Sequence, residues 1–301
     1  MANDGEGAGG AGRGGGGRSG GGRGDGGRGG GSGGDGTALP ASVEAAWGLR
    51  ERPSKGPKPG IGVDRIVAAA VDLAAAEGLG AVSMGRVAKE LGVSTMSLYR
   101  YVAAKSDLYL LMQEVAVGPP PPPPPPGDDW RGAITAWAVA QRERFRSNPW
   151  VLQIPISGPP ATPHSVAWWE RGLVALEPTG LDDGDRLSVI MLINGFVRHE
   201  SMVAVDLGVA VANGGGDPDA FMRRYLATLE RLADPERHPS VTRLLRSGMF
   251  LEGDDPDYDF RFGLARILDG VAELVRQRGV AEDGVAEAGV AEGERTKEGR
   301  E

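Results

Sequence analysis

The sequence predicts an all-α protein, and three observations carry that prediction. From residue 61 onward apolar residues recur at the three- and four-residue spacing of helices packed on one face. Serine and aspartate sit where such runs begin, and glycine where several of them end. No segment alternates apolar and polar residues convincingly enough to make a half-buried strand.

The elements follow in chain order. Residues 1–36 contain 21 of the 50 glycines, with Arg13, Arg18, Arg23 and Arg28 recurring every five positions. Such a segment has no apolar surface to offset its ordering entropy, so disorder is expected. It reads either as an Arg-Gly arm that touches nucleic-acid phosphates or as a neutral tail, because Asp4, Glu6, Asp25 and Asp35 cancel the arginines. Ala41 to Leu49 suits a short helical piece around Trp47, and residues 50–60 (RERPSKGPKPG) form a basic, proline-punctuated linker.

A helix is then expected over Asp64–Glu77, with Ile66, Ala69, Ala70 and Leu73 on one face and Gly78 as its stop. Ser83 caps a second, which carries Met84, Val87, Ala88 and Leu91 and ends at Gly92. Ser94 caps a short third with Leu98 and Val102 one turn apart, and a fourth opens near Lys105. Eight consecutive prolines, Pro119 to Pro126, follow; they remove backbone donors and favour an extended, stiff spacer. Further helices are expected at 129–148, 162–176, 185–212, 217–233 and about 257–278. The last 23 residues, with GVAE at 279, 284 and 289, read as a disordered acidic tail. The expected organisation is tail and linker at 1–60, a helix-turn-helix domain at 61–117, a polyproline linker at 118–128, a helical domain at 129–278 and a tail at 279–301.

Composition narrows function. There is no cysteine, which excludes disulfide scaffolds, thiol catalysis and iron–sulfur clusters. No apolar run approaches the ~20 residues of a membrane helix, so a cytoplasmic protein without membrane contact is expected. The net charge of −8 argues against indiscriminate nucleic-acid binding, yet residues 50–117 carry nine basic side chains against seven acidic ones. His164, His199 and His238 lack metal-ligand spacing, and the acids 254–259 lack the Gly and Glu of a calcium loop. No enzyme, cofactor or metal is expected.

The informative segment lies around Gly92-Val93-Ser94. Gly92 can adopt the positive φ that ends one helix, Val93 can plug the turn, and Ser94 caps the next helix. Leu98 and Val102 would hold that helix on a core. Thr95, Ser97, Tyr99 and Tyr101 would then face outward with Arg100 at the edge, a surface of donors, acceptors and aromatic rings suited to a major groove. Ser83, at a helix N-terminus, can hold a phosphate.

The stretch LGVSTMSLYRYVAAKSDL resembles the DNA-binding domain of the tetracycline-repressor family, in its turn glycine, capping serine, Leu-Tyr-x-Tyr core and the lysine opening the next helix. DDWRGAITAWA, NPWVL and DYDFRFGLARILDGVAELV resemble the family's C-terminal domain more weakly, so the resemblance covers roughly 62–278. It implies a homodimer on a double-stranded DNA operator, with Thr95, Met96, Ser97, Tyr99 and Tyr101 touching bases and backbone. It also implies that Arg86 and Lys105 contact phosphates. Gly85 departs from members that read a base from the second helix, and the polyproline run departs from the usual connection between the domains.

In the larger domain Asn194, Arg198 and His199 interrupt an apolar helix, and buried polar groups need partners. Trp137, Phe145, Trp168, Met191, Asn194 and His199 are the candidate contacts of a small apolar or aromatic effector. Residues 187–211 and 260–275 are apolar on more than one face, which fits a four-helix dimer contact. The sequence therefore reads as a ligand-responsive repressor. The alternative from another class is an RNA-associated protein acting through its Arg-Gly tail.

Overall fold

The computed structural model describes residues 39–49, 61–123, 129–156, 158–250 and 255–298. The glycine-rich segment and the basic linker at 50–60 lie outside them. Among the described residues all regular structure is helical. A short α1 (Ala41–Ala46) precedes α2 (Val63–Glu77), α3 (Met84–Glu90), α4 (Thr95–Tyr99) and α5 (Lys105–Val117). Beyond the prolines come α6 (Trp130–Ser147), α7 (Pro163–Ala175), α8 (Asp183–Asn213), α9 (Pro218–Leu232), α10 (Pro239–Arg246) and α11 (Tyr258–Glu298).

Local chemistry sets most of these starts. The side chains of Ser83, Ser94, Asp129, Asp182 and Asp217 each accept a backbone N–H in the first turn of the helix that follows. α11 continues through the GVAE repeats to Glu298, past the end expected at residue 278.

Two cores organise the chain. The first is built from α2 to α5, where Ile66, Leu98, Leu108 and Met112 are wholly buried. Trp150, Val151 and Ile154 complete it; they come from the 3-10 turn Pro149–Gln153 and its exit, although that turn lies beyond α6 in the chain. The second core joins α6, α7, α8 and α11 around Ile134, Trp137, Trp168, Ile190, Ile193 and Leu268. Val117 and Phe145 pack against both. α7 approaches closely at Gly172, where a Cβ would stand 3.0 Å from Ile190 Cγ2 and 3.1 Å from the Trp137 ring.

Polar ties cross between these elements. Ser42 Oγ donates to Asp107 Oδ1 at 2.9 Å, fixing α1 to the first turn of α5. Trp47 Nε1, just past α1, donates to Ala161 O at 2.8 Å, in the approach to α7. At the other end of α5, Glu114 accepts the backbone N–H of His164 at 2.9 Å. α9 and α10 bury little by comparison: Leu226 alone among their side chains is buried.

Candidate functional site

α3 and α4 form a helix-turn-helix. Gly92 has φ +69°, the left-handed conformation that reverses the chain, and Val93 N donates to Ala88 O at 2.9 Å. Val93 tucks partly against the first core. Ser94 Oγ accepts from Ser97 N at 3.3 Å and shares a 2.9 Å hydrogen bond with Ser97 Oγ. Leu98 at 0% and Val102 at 2% exposure anchor the segment from below. The opposite side leaves Met96 74% and Tyr99 46% exposed, with Arg100 exposed beside them.

The remaining candidates of this surface are placed less uniformly. Thr95 and Ser97 are half-buried. Tyr101 was expected to face outward, but α4 ends at Tyr99, and the tightened turn (Tyr101 N to Leu98 O, 2.9 Å) lays the Tyr101 ring partly against the first core. Ser83 Oγ is occupied as the cap of α3, accepting from Arg86 N at 3.2 Å. Arg86 pairs with Glu77 at 2.6 Å, both about half exposed, which leaves a guanidinium within reach of solvent but already partnered. Lys105 Nζ lies 5.1 Å from the centre of the Tyr109 ring. Nothing stands within 4 Å of a Cβ built on Gly85, so the second helix presents open space there.

The six candidate effector contacts do not converge on one space. Trp137 and Trp168 do meet, with ring centroids 6.4 Å apart. Both indoles are hydrogen-bonded, Trp137 Nε1 to Trp168 O and Trp168 Nε1 to Gly118 O, each at 2.9 Å. Phe145 and Asn194 are half-buried on the facing helices α6 and α8. Met191 and His199 instead lie on the exposed side of α8. A 3.6-residue period separates these two sides, and a run that is apolar all round conceals which of them faces inward. Two clefts, of about 200 and 460 Å³, lie at α9 and α10, and none of the six lines either.

Arg198, embedded in α8, donates through Nη2 to Leu152 O at 2.8 Å and Ile154 O at 3.2 Å, and burial lowers its pKa. Two polar side chains on the elements packed around it escaped the sequence reading: Gln141 on α6 and Trp150 on the 3-10 turn. Gln141 Oε1 and Trp150 Nε1 are buried without a hydrogen-bond partner. Spacing offers a signal for Gln141, which stands one turn from both Trp137 and Phe145. Trp150 offers none, since its burial is decided by α8 and by the first core that its turn completes.

Among the described residues no helix is long and apolar enough to cross a membrane, and no group of three His, Cys, Asp or Glu is placed to hold a metal. Residues 66–112 match the family model "Bacterial regulatory proteins, tetR family", and residues 122–275 match "Tetracyclin repressor-like, C-terminal domain". The chain belongs to the tetR family. It is 38% identical over 239 residues to the HTH-type transcriptional repressor DrrR1 of Streptomyces coeruleorubidus, spanning 79% of this chain and 87% of that one. Apo ActR from Streptomyces coelicolor superposes with a TM-score of 0.60 at 26% identity, covering 73% of this chain and 99% of ActR. ActR in complex with actinorhodin gives 0.60 at 25% identity, with the same coverage. As a tetR-family member this protein is a DNA-binding transcriptional regulator and not an enzyme.

Proposed function

We propose that the protein is a ligand-responsive repressor that binds a palindromic operator as a homodimer. The observation that carries this reading is the contrast within α4: Leu98 is wholly buried while Met96 and Tyr99 stand out beside it. A five-residue helix seated by Leu98 thus presents a bulky apolar side chain and a phenol outward, where a partner surface can meet them. A major groove, with its base edges and thymine methyls, is such a surface. Residues 61–117 read the DNA, and residues 129–278 hold the effector and the dimer contact. The polyproline linker at 118–128 connects the two, with 1–60 and 279–301 as flanking segments. Thr95, Met96, Ser97, Tyr99 and Arg100 approach bases or backbone, Arg86, Lys105 and the Ser83 end of α3 approach phosphates, and Tyr101 supports α4 from its half-buried position.

The dimer contact is formed by the outer sides of α8 and α11. Met191, Leu192, Met202, Val203, Tyr258 and Phe262 are each more than a third exposed there. Covering them with a two-fold mate removes an apolar surface that a monomer leaves in water. Met191 and His199 belong to this contact, whereas Trp137, Phe145, Trp168 and Asn194 surround the effector. The effector is a small apolar or aromatic molecule, which the aromatic side chains between α6 and α7 support. That there is an effector at all is supported by the complex of the structural relative ActR with actinorhodin. Effector binding biases a two-state equilibrium in the separation of the two reading helices, which a palindrome requires to be about one DNA turn, roughly 34 Å, apart.

Selection of bound duplexes from random DNA with protein lacking residues 1–49, at fixed salt, tests the reading. One inverted repeat is the expected result. Recovery of no consensus from a folded dimer would overturn it and direct attention to the glycine-rich segment.

A further inference from the structure

Two arginines occupy the contacts that α6 and α8 make with their neighbours, and their partners differ. Arg142 is held by two carboxylates, Glu200 at 2.6 Å and Asp257 at 2.7 Å. Arg198 has no carboxylate partner among the described residues; one of its nitrogens serves two backbone carbonyls and the ring of Phe145 lies 6.0 Å away. A guanidinium carries five N–H donors in a planar fork that matches a carboxylate. Half-buried without a counter-charge, the Arg198 guanidinium gains a charge-assisted pair when a carboxylate is supplied.

Two side chains on the elements packed against α8 share that deficit. Trp150, only 3% exposed, has an unpartnered indole N–H, and Gln141 Oε1 is a buried acceptor without a donor. Buried polar atoms of this kind are rare in folded chains and mark places where a partner belongs. Phe145 is half-buried beside the guanidinium, and Gln141 is one helical turn from Phe145 and from the Trp137 indole. The local chemistry is thus a cationic fork and a second N–H donor, one acceptor, and aromatic faces.

We propose that Arg198 anchors the carboxylate of an aromatic acid, with Trp150 Nε1 as a second donor and Phe145 against the ring. This deepens the effector reading given above and rests on it. The carboxylate takes up the guanidinium donors that now serve Leu152 O and Ile154 O. Those carbonyls belong to the turn whose Trp150, Val151 and Ile154 complete the first core, the core that also seats Leu98 of α4. An acid that engages Arg198 therefore loosens the tie between α8 and that turn, and the change is delivered to the helices that carry the reading surface.

The test uses the full chain without DNA, so its failure is separable from a failure to select an operator. Naphthalene-2-carboxylate and the neutral naphthalene-2-carboxamide are titrated calorimetrically. The acid is expected to bind about tenfold tighter or better, the scale of a charge-assisted hydrogen bond. In Arg198→Gln the preference should fall within about threefold, and Arg198→Lys should restore part of it. Amide hydrogen exchange at residues 150–154 should rise with the acid and not with the amide. Equal affinity of wild type for the two probes, or no binding of the acid at millimolar concentration, overturns the proposal whether or not the variants fold. An unchanged preference in a folded Arg198→Gln does the same, and exchange indifferent to the acid overturns the coupling through the turn.

Discussion

The indole N–H of Trp168 donates to the carbonyl of Gly118 at 2.9 Å, joining the middle of α7 to the last residue before the prolines. Gly118 has φ +59°, so the chain leaves α5 in a conformation that only glycine adopts without strain. The bond is buried at both ends, and the connection between the two cores is fixed where its stiff segment begins. Trp168→Phe keeps most of the ring volume and deletes the donor. It is expected to lower stability by about 1–3 kcal/mol, the penalty for an orphaned buried carbonyl. Urea denaturation of the two proteins measures this, and an unchanged midpoint would mean that water replaces the indole.

Arg142 supplies a second measurable case. Its guanidinium, 7% exposed, forks onto both oxygens of Glu200 at 2.9 and 2.6 Å and lies 4.3 Å from the Phe260 ring centre. Removing Glu200 leaves the guanidinium with Asp257 as its remaining carboxylate, so Glu200→Leu alone should cost about 1–3 kcal/mol. The double variant Arg142→Met with Glu200→Leu should cost markedly less, because both desolvated charges go together. A double-mutant cycle in urea decides it. Additive losses would show that the pair is better hydrated than its burial implies.

Helical glycines in this chain separate into two kinds. A Cβ on Gly263 would lie 2.6 Å from the Phe196 ring, whereas one on Gly132 meets nothing within 4 Å. Gly263→Ala should destabilise by about 1–3 kcal/mol through displacement of Phe196 from its stack on Phe260, centroids 5.8 Å apart. Gly132→Ala should stabilise by roughly 0.5–1 kcal/mol from helix propensity. Thermal unfolding of both variants checks the opposite signs.

These features show what was legible beforehand. Helix starts were readable because capping is local: Ser83, Ser94 and Asp217 lie within four residues of the N–H groups they satisfy. α10 was not, since His238 and Pro239 open it without a side-chain cap bond. Leu98 and Val102 could be assigned to the core from their spacing, and Tyr99 to the surface by the same reasoning, whereas Met96 was named only through the family resemblance. Tyr101 could not, because its place depends on α4 stopping after five residues. In the second core, Met191 and Asn194 are three residues apart on one apolar helix. Only the packing of α6 and α11 against it decides which side each occupies.

Acid stability follows from the carboxylates that arginines hold ionised. Arg142, through its hydrogen bond, keeps the Asp257 carboxyl below its ordinary pKa, and Arg131 does the same for Asp269. Arg276 brings Glu273 down to about 2. A depressed folded-state pKa contributes stability that is fully present above the unfolded value near 4. That contribution disappears as pH falls through the folded value. Asp257→Asn should therefore show a constant deficit in urea midpoint from pH 7 to about pH 5, and the deficit should shrink below about pH 4. A deficit that persists unchanged at pH 2 would assign the effect to packing instead.

The reading surface is testable one side chain at a time. Tyr99 is the exposed aromatic of α4, opposite a wholly buried Leu98, so trimming it tests the proposed DNA contact without touching the core. Tyr99→Ala should abolish binding to the selected operator while light scattering still reports a dimer. Lys105, which opens α5 beside the Tyr109 ring, is the proposed phosphate contact rather than a base-reading residue. Lys105→Ala should weaken binding to specific and random duplexes alike, and the slope of log affinity against log salt should shrink by about one per site. Loss of sequence preference with an unchanged salt slope would reverse that assignment and make Lys105 a base-reading residue. Wild-type operator affinity in Tyr99→Ala would move the recognition surface off α4 altogether.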